Sequence, residues 1–194
     1  MPKLPTRVVI AEDEAIIRLD LRETLEEEGY EVVGETGRGD EAVALVKELE
    51  PDIAILDIKM PGLDGLSAAR EITGERRAAV LILTAFSQRD LIERARDAGA
   101  MAYLVKPYER TDLVPAIEVA LARFIEMREL HDQATTLESQ LETRKLVDRA
   151  KGLLMDKHHL TEHDAFTFIQ RTAMTERQTM RTIAERILAD ELAP

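Results

Sequence analysis

The sequence predicts an α/β fold: an open, doubly wound parallel sheet of five strands, then a long helix and a small all-helical domain. Three observations carry this reading. Five short apolar runs recur within the first 107 residues. Segments of helical period alternate with them, as right-handed crossovers between parallel strands require. Beyond Asp112 the runs stop and helical spacing continues alone.

The elements follow in order. Val8-Val9-Ile10-Ala11 reads as a strand that ends in Glu12-Asp13. Ile16, Ile17, Leu21 and Leu25 recur at helix spacing, with Gly29 as a stop. Residues 31–34 form the second strand. Ala42, Val43, Val46 and Leu49 mark a helix that ends before Pro51. Ile53-Ala54-Ile55-Leu56 ends in Asp57, and a short helix fits 66–72. Val80-Leu81-Ile82-Leu83 ends in Thr84, and 91–98 is helical before Gly99. Tyr103-Leu104-Val105 runs into Lys106-Pro107. Ile117, Leu121, Phe124, Met127, Leu130, Ala134, Leu137 and Leu141 are then spaced by three or four, with no Gly or Pro over 116–151. That is a long helix with a narrow apolar stripe. Its first part packs on the sheet domain, and residues 121–142 read as a coiled-coil seam through which two copies can pair. Shorter helical patterns follow Gly152. Thr161-Glu162-His163-Asp164 resembles a capping box. Ala165, Phe166, Ile169 and Ala173 form the expected buried face of the next helix, with Phe168 outward. Residues 179–188 form the last helix, with Met180, Ile183, Ala184 and Ile187 inward. The domains are therefore placed at 6–120, 121–142 and 143–192.

Composition narrows the function. No apolar stretch approaches the ~20 residues of a membrane span, and Met1-Pro2-Lys3-Leu4-Pro5 lacks the apolar core of a leader, so a cytoplasmic protein is expected. With no cysteine, thiolate chemistry and cysteine-held metals are excluded. The net charge of −12 argues against a nucleic-acid partner until it is divided. Residues 1–120 hold 15 Lys/Arg against 25 Asp/Glu, whereas 143–187 hold 9 against 6. The acidic excess belongs to the first domain and leaves room for a polyanion near the C-terminus.

In an open parallel sheet the C-terminal strand ends share one edge, where ligands bind. Glu12, Asp13, Asp57, Thr84 and Lys106 therefore meet in one cleft. Asp13 and Asp57 each offer a carboxylate oxygen to Mg²⁺, Glu12 acts through a bound water, and the backbone carbonyl of Lys59 completes the set. Crowded carboxylates repel one another and hold protons more tightly unless a cation intervenes. Asp57, kept ionised, is a nucleophile towards phosphorus. Lys106 and Thr84 then contact the oxygens of the transferring group. Pro107 is a position where a cis bond can fix the Lys106 loop.

Taken jointly and in order, these pieces resemble the receiver domain of two-component response regulators. The matching segments are Val9-Ile10-Ala11-Glu12-Asp13-Glu14, Leu56-Asp57-Ile58-Lys59-Met60-Pro61-Gly62-Leu63-Asp64-Gly65, Leu83-Thr84-Ala85 and the stretch 99–107. The resemblance implies a flavodoxin-like fold, phosphotransfer from a sensor histidine kinase to Asp57, and dependence on Mg²⁺. It also implies a switch pair, Thr84 and Tyr103, in which phosphate recruits the hydroxyl and the ring turns inward. A plain core aromatic is the other reading of Tyr103.

Further on, Arg149-Ala150-Lys151-Gly152-Leu153-Leu154-Met155, Thr161-Glu162, Ala165-Phe166 and Gln170-Arg171-Thr172-Ala173-Met174 resemble the ANTAR domain, over roughly 137–190. That resemblance implies recognition of paired RNA hairpins, transcription antitermination and action as a dimer. Arg144, Lys145, Arg149, Lys151, Gly152, Arg171, Ala173, Met174 and Arg177 are the expected RNA-contacting residues. From composition alone the basic residues read as a solvated helix face, and Ala150, Gly152, Ala165 and Ala173 as close-packing positions. His158, His159 and His163 lie near one another, but a helix break at Leu160-Thr161 separates them and no partner completes a zinc site. Two other outputs stay open: a DNA-binding tail, for which 179–188 offers Gln178, Arg181 and Arg186 but no turn glycine, and an adaptor that only dimerises. No independent enzyme is expected, because phosphotransfer uses the whole cleft.

Overall fold

In the computed structural model, residues 5–85 and 89–194 are described, the side chain of Arg89 excepted. The leader reading of Met1-Pro2-Lys3-Leu4 lies outside them. The chain divides into two units, Met1–Glu129 and Leu130–Pro194.

The first unit alternates strand and helix: β1 (Arg7–Ala11), α1 (Ala15–Glu27), β2 (Glu31–Thr36), α2 (Gly39–Leu49), β3 (Ile53–Asp57), α3 (Gly65–Gly74), β4 (Ala79–Thr84), α4 (Arg89–Asp97) and β5 (Ala102–Val105). Helix α5 (Arg110–His158) follows. All strand pairs are parallel, in the order β2-β1-β3-β4-β5. This is the flavodoxin-like order, whose direction of winding reverses between β1 and β3.

Strand periodicity assigns the two faces. Val9, Ala11, Ala54, Leu56, Val80 and Ile82 pack with α2, α3 and α4 through Ala42, Val46, Leu66, Ala69, Ile72 and Ala95. Val8, Ile10, Ile53, Ile55, Leu81 and Leu83 pack on the other face with Leu21 and Leu25 of α1 and Leu113, Ile117, Ala120 and Phe124 of α5. Every residue of β3 is buried, as a central strand covered on both faces requires. The edge strand β2 is half-buried, and one extra residue, Val33, bulges where Val8 and Val9 pair with Val32 and Gly34. Gly29, with φ +85°, takes the left-handed turn that ends α1.

Two tyrosines tie this unit to a pH range. Tyr30 Oη donates to Glu118 Oε1 at 3.2 Å, and burial, with the Glu118 charge adding to it, pushes its pKa up to about 12. Tyr108 is likewise pushed up to about 12, first by burial and then, against the Lys106 charge, by Glu12. An unfolded tyrosine titrates near pH ~10. A folded pKa above the unfolded one means that the neutral phenol stabilises the fold fully below pH ~10. That contribution is lost as the pH rises through about 12. Ultraviolet titration of phenolate should show two high-pH transitions, one disappearing in Tyr30→Phe and the other in Tyr108→Phe; a transition in the ordinary tyrosine range that disappears in either variant would contradict the burial argument.

The second unit is a three-helix cluster made by the end of α5, α6 (Glu162–Glu176) and α7 (Met180–Leu188). Val147, Ala150 and Leu154 meet Ala165, Ile169 and Ala173, with Ile183, Ala184 and Ile187 closing the core. Thr161 caps α6 by accepting from the Asp164 N–H, and Thr179 caps α7 by accepting from the Thr182 N–H. Gly152 does not end a helix: α5 runs through it to His158, and the chain breaks at His159, φ 55°. The two phenylalanines exchange the places expected of them. Phe168 packs against the core, and Phe166 is 40% exposed. At about 100° per residue Phe166 lies nearer than Phe168 to the arc of Ala165, Ile169 and Ala173, so the helices packed on α6, and not its period, set the exchange.

Candidate functional site

The reversal between β1 and β3 brings the ends of both strands to one crevice. Glu12 and Asp13 follow β1, and Asp57 ends β3. One carboxylate oxygen from each lies within 4.8 Å of the others, so the three can hold a metal ion. Glu12 is fully buried and Asp57 nearly so, while Asp13 is exposed. The Lys106 ammonium, just beyond β5, bonds Glu12 Oε2 at 2.5 Å and Asp57 Oδ1 at 2.8 Å. The Lys106–Pro107 peptide is cis. The Lys59 N–H donates to Asp57 Oδ2 at 2.9 Å, which leaves the Lys59 carbonyl on the same loop. Thr84, at the end of β4, is buried, and its carbonyl accepts from the Lys106 N–H at 2.8 Å.

The electrostatics follow from three carboxylates facing one ammonium. Burial raises the Glu12 pKa, Asp57 adds to the rise, and Lys106 opposes it. Burial alone would lower the Lys106 pKa, but its bonds to Asp57 and Glu12 win and raise it. A divalent cation would relieve the same repulsion.

Sequence reasoning missed the residues that hold this cleft in shape. Arg18, one turn into α1, donates from Nη1 to the Glu12 carbonyl at 2.5 Å. Gly65 begins α3 against β3: a Cβ there would lie 1.9 Å from the Asp57 carbonyl oxygen. Gly39 begins α2 with equal closeness, 2.0 Å from the Leu63 carbonyl oxygen. Gly62, φ +79°, turns the loop beneath Asp40 and Arg38. The repeated glycines after Asp57 were the available signal.

Tyr103 is 44% exposed on β5. It lines an apolar groove of about 450 Å³ with Ile92 of α4 and Pro115 and Val119 of α5.

The response regulator receiver domain family matches residues 8–118, and the ANTAR domain family matches 135–188. The chain is a response regulator. The transcriptional regulatory protein PdtaR of Mycobacterium tuberculosis is 60% identical over 185 residues, covering 95% of this chain and 90% of its own. The chemotaxis protein CheY of Thermotoga maritima is 38% identical over 112 residues, 57% of this chain and 93% of its own. The CheX–CheY–BeF3–Mg²⁺ complex from Borrelia burgdorferi matches with a TM-score of 0.56 at 26% identity, covering 59% of this chain and 87% of that one. Among the described residues, no helix of this response regulator is long and apolar enough to cross a membrane.

In the ANTAR unit the expected RNA-contacting residues separate into groups. Arg144, Lys145, Arg149, Arg171, Met174 and Arg177 are exposed, with Met174 at 69%. Ala173 is not: it is 7% exposed and packs in the three-helix core, where its small side chain lets α6 approach closely. Lys151 is 15% exposed and paired with Asp148 and Glu162, both at 2.9 Å, so its charge serves the α5–α6 packing. Gly152, read from composition as a close-packing position, has no neighbour within 4 Å of an added Cβ.

Proposed function

We propose that this response regulator accepts a phosphoryl group on Asp57 and in answer binds hairpin RNA through residues 143–192, as a transcription antiterminator. The observation that carries the reading is the buried Asp57 carboxylate held between Lys106 and the Lys59 N–H at the mouth of a receiver fold whose chain continues into an ANTAR domain. An Asp57 oxygen attacks the phosphorus of a phosphohistidine on a sensor kinase. The phosphorus–nitrogen bond breaks, and the leaving imidazole keeps the electron pair and takes a proton. Lys106, already at Asp57, neutralises the oxygens of the incoming group, and Thr84 donates its hydroxyl to them. Glu12, Asp13, Asp57 and the Lys59 carbonyl would hold Mg²⁺, which supplies Lewis-acid charge neutralisation when bound.

Tyr103 is the partner of Thr84 in relaying the change. Its half-exposed ring lines the groove between α4 and α5, so turning it inward would alter that groove. Dimerisation through 121–142 is part of the same reading. Leu130, Leu137 and Leu141 lie 54–65% exposed along one stripe, apolar area that a second helix would cover. Each copy then presents one hairpin-binding unit.

The test is binding of a labelled two-hairpin RNA with and without acetyl phosphate and Mg²⁺, against a duplex-DNA control. Tighter RNA binding on phosphorylation is expected. Binding indifferent to phosphorylation removes the switch. Preference for the duplex moves the output to DNA, and no nucleic-acid binding in either state leaves a dimerising adaptor.

A further inference from the structure

The carboxylates that would hold a cation stand on two loops, Glu12-Asp13 after β1 and the exit of β3 at Asp57. A third loop, between β2 and α2, supplies no ligand and touches both. Towards β1, the Glu12 N–H donates to the Thr36 carbonyl at 3.0 Å. A Cβ on Gly37 would lie 3.6 Å from the Asp13 Cα and 3.7 Å from the Glu12 carbonyl oxygen. Towards β3, the Gly39 N–H donates to the Pro61 carbonyl at 3.3 Å, and the Arg38–Asp40 ion pair of 2.8 Å lies over Gly62. The buried Thr36 hydroxyl pins the loop by accepting from the Arg38 N–H at 3.1 Å and donating to Glu41.

Arg18 closes the gap between this loop and α1. Its Nη1 donates to the Glu12 carbonyl at 2.5 Å and would lie 3.3 Å from a Cβ on Gly37. The guanidinium thus takes the space that a side chain at position 37 would need. Its place in the helix is otherwise unfavourable. Arg18 closes the first turn of α1, at the positive end of the helix dipole, and pairs with no carboxylate among the described residues. Packing would be served as well by a neutral side chain. What the arginine adds is a charge-assisted bond to one carbonyl, that of the residue whose carboxylate meets Asp13 and Asp57 in the cleft.

We propose that Arg18, seated on Gly37, is a positioning residue for Mg²⁺: it fixes the Glu12-Asp13 turn and so sets the affinity of the cleft for the cation. This rests on the reading of the cleft as a Mg²⁺ site. Mg²⁺ demands near-ideal octahedral geometry and gives up its waters reluctantly, so a turn free to shift holds it less tightly. Groups that orient metal ligands typically contribute about 10–100-fold in affinity.

Calorimetric titration of Mg²⁺ into the full chain tests this, beside melts in EDTA and in Mg²⁺. Arg18→Ala should bind Mg²⁺ about tenfold more weakly, and Arg18→Lys should recover part of the loss, since its ammonium can reach the same carbonyl. Gly37→Ala should weaken binding by a smaller factor, because its Cβ presses on the guanidinium and leaves the main chain at ordinary contact distance. Labelling from acetyl phosphate should need about tenfold more Mg²⁺ for half its maximal rate in Arg18→Ala, and excess Mg²⁺ should restore most of the rate lost. The rise in melting temperature that Mg²⁺ gives should shrink in the same variants. Mg²⁺ affinity equal to wild type in a folded Arg18→Ala overturns the proposal while leaving the cation site standing. So does a lower melt in EDTA with affinity intact, which shows a structural arginine and nothing more. Should Arg18→Ala not fold, wild-type affinity in Gly37→Ala overturns it instead. If the wild-type chain binds no Mg²⁺, the reading of the cleft fails and this one with it.

Discussion

Asp57→Asn protein takes up no phosphoryl label, from acetyl phosphate or from a kinase, and keeps its fold. The loss of acceptance is complete because an amide oxygen is no nucleophile at phosphorus and no other carboxylate in the cleft is equivalent. Glu12 is fully buried against Lys106, and Asp13 is exposed whereas Lys106 bonds Glu12 and Asp57. The fold survives because two effects of the change oppose each other. With the amide oxygen turned to the Lys59 N–H, the 2.8 Å bond from Lys106 is lost, because the amide nitrogen does not accept, but the repulsion that Asp57 imposes on Glu12 disappears as well. The Lys59 N–H keeps an acceptor at the amide oxygen. The measurement is autoradiography after incubation with labelled phosphodonor, beside a urea melt. Label on the variant would move the acceptor elsewhere. A melt far below that of wild type would show that the carboxylate is structural as well as reactive.

Gly65→Ala should be among the most damaging single-methyl changes in the first unit. The new Cβ would lie 1.9 Å from the Asp57 carbonyl oxygen, 2.8 Å from its carbon and 3.1 Å from the Ile58 Cα. All three are main-chain atoms of β3 or its exit, so no side chain can swing aside. Either α3 lifts from the sheet, breaking the Gly65 N–H to Ile58 carbonyl bond of 2.9 Å, or the end of β3 moves. Overpacking typically costs about 1–3 kcal/mol, and an immovable partner places this case at about 3 kcal/mol or above. Phosphorylation should slow as well, since the displaced backbone carries the acceptor. Urea denaturation of the full chain checks the first statement and initial labelling rates the second. Stability equal to wild type would mean that α3 has freedom the packing denies it.

The sheet and the cleft were legible because both are written in short-range terms. An apolar run marks a strand, and parallel strands deliver their ends to one edge, so Glu12, Asp13, Asp57, Thr84 and Lys106 could be placed together from order alone. What was not legible depends on long-range approach. Arg18 reaching the Glu12 carbonyl, and Gly65 and Gly39 admitting a neighbouring main chain, are facts of separation that no period encodes. In the second unit the helical period gave a buried stripe but not its centre. The partners of α6 set that centre, which sent Phe168 inward and Phe166 outward. The same ambiguity hid Ala173 in the core while its family motif marked it for contact.

The alternation of the two cores along β3 has a bearing on how such a chain can change through time. Ala54 and Leu56 belong to one core, Ile53 and Ile55 to the other, and Asp57 ends the strand. Inserting or deleting one residue within 53–56 would exchange every side chain between the faces. It would also carry the carboxylate about one pleat, ~3.3 Å, along the strand, out of reach of Lys106. Length variation is therefore barred from this strand by packing and by chemistry at once. It is left to places such as β2, whose bulge at Val33 already absorbs an extra residue at the sheet's margin.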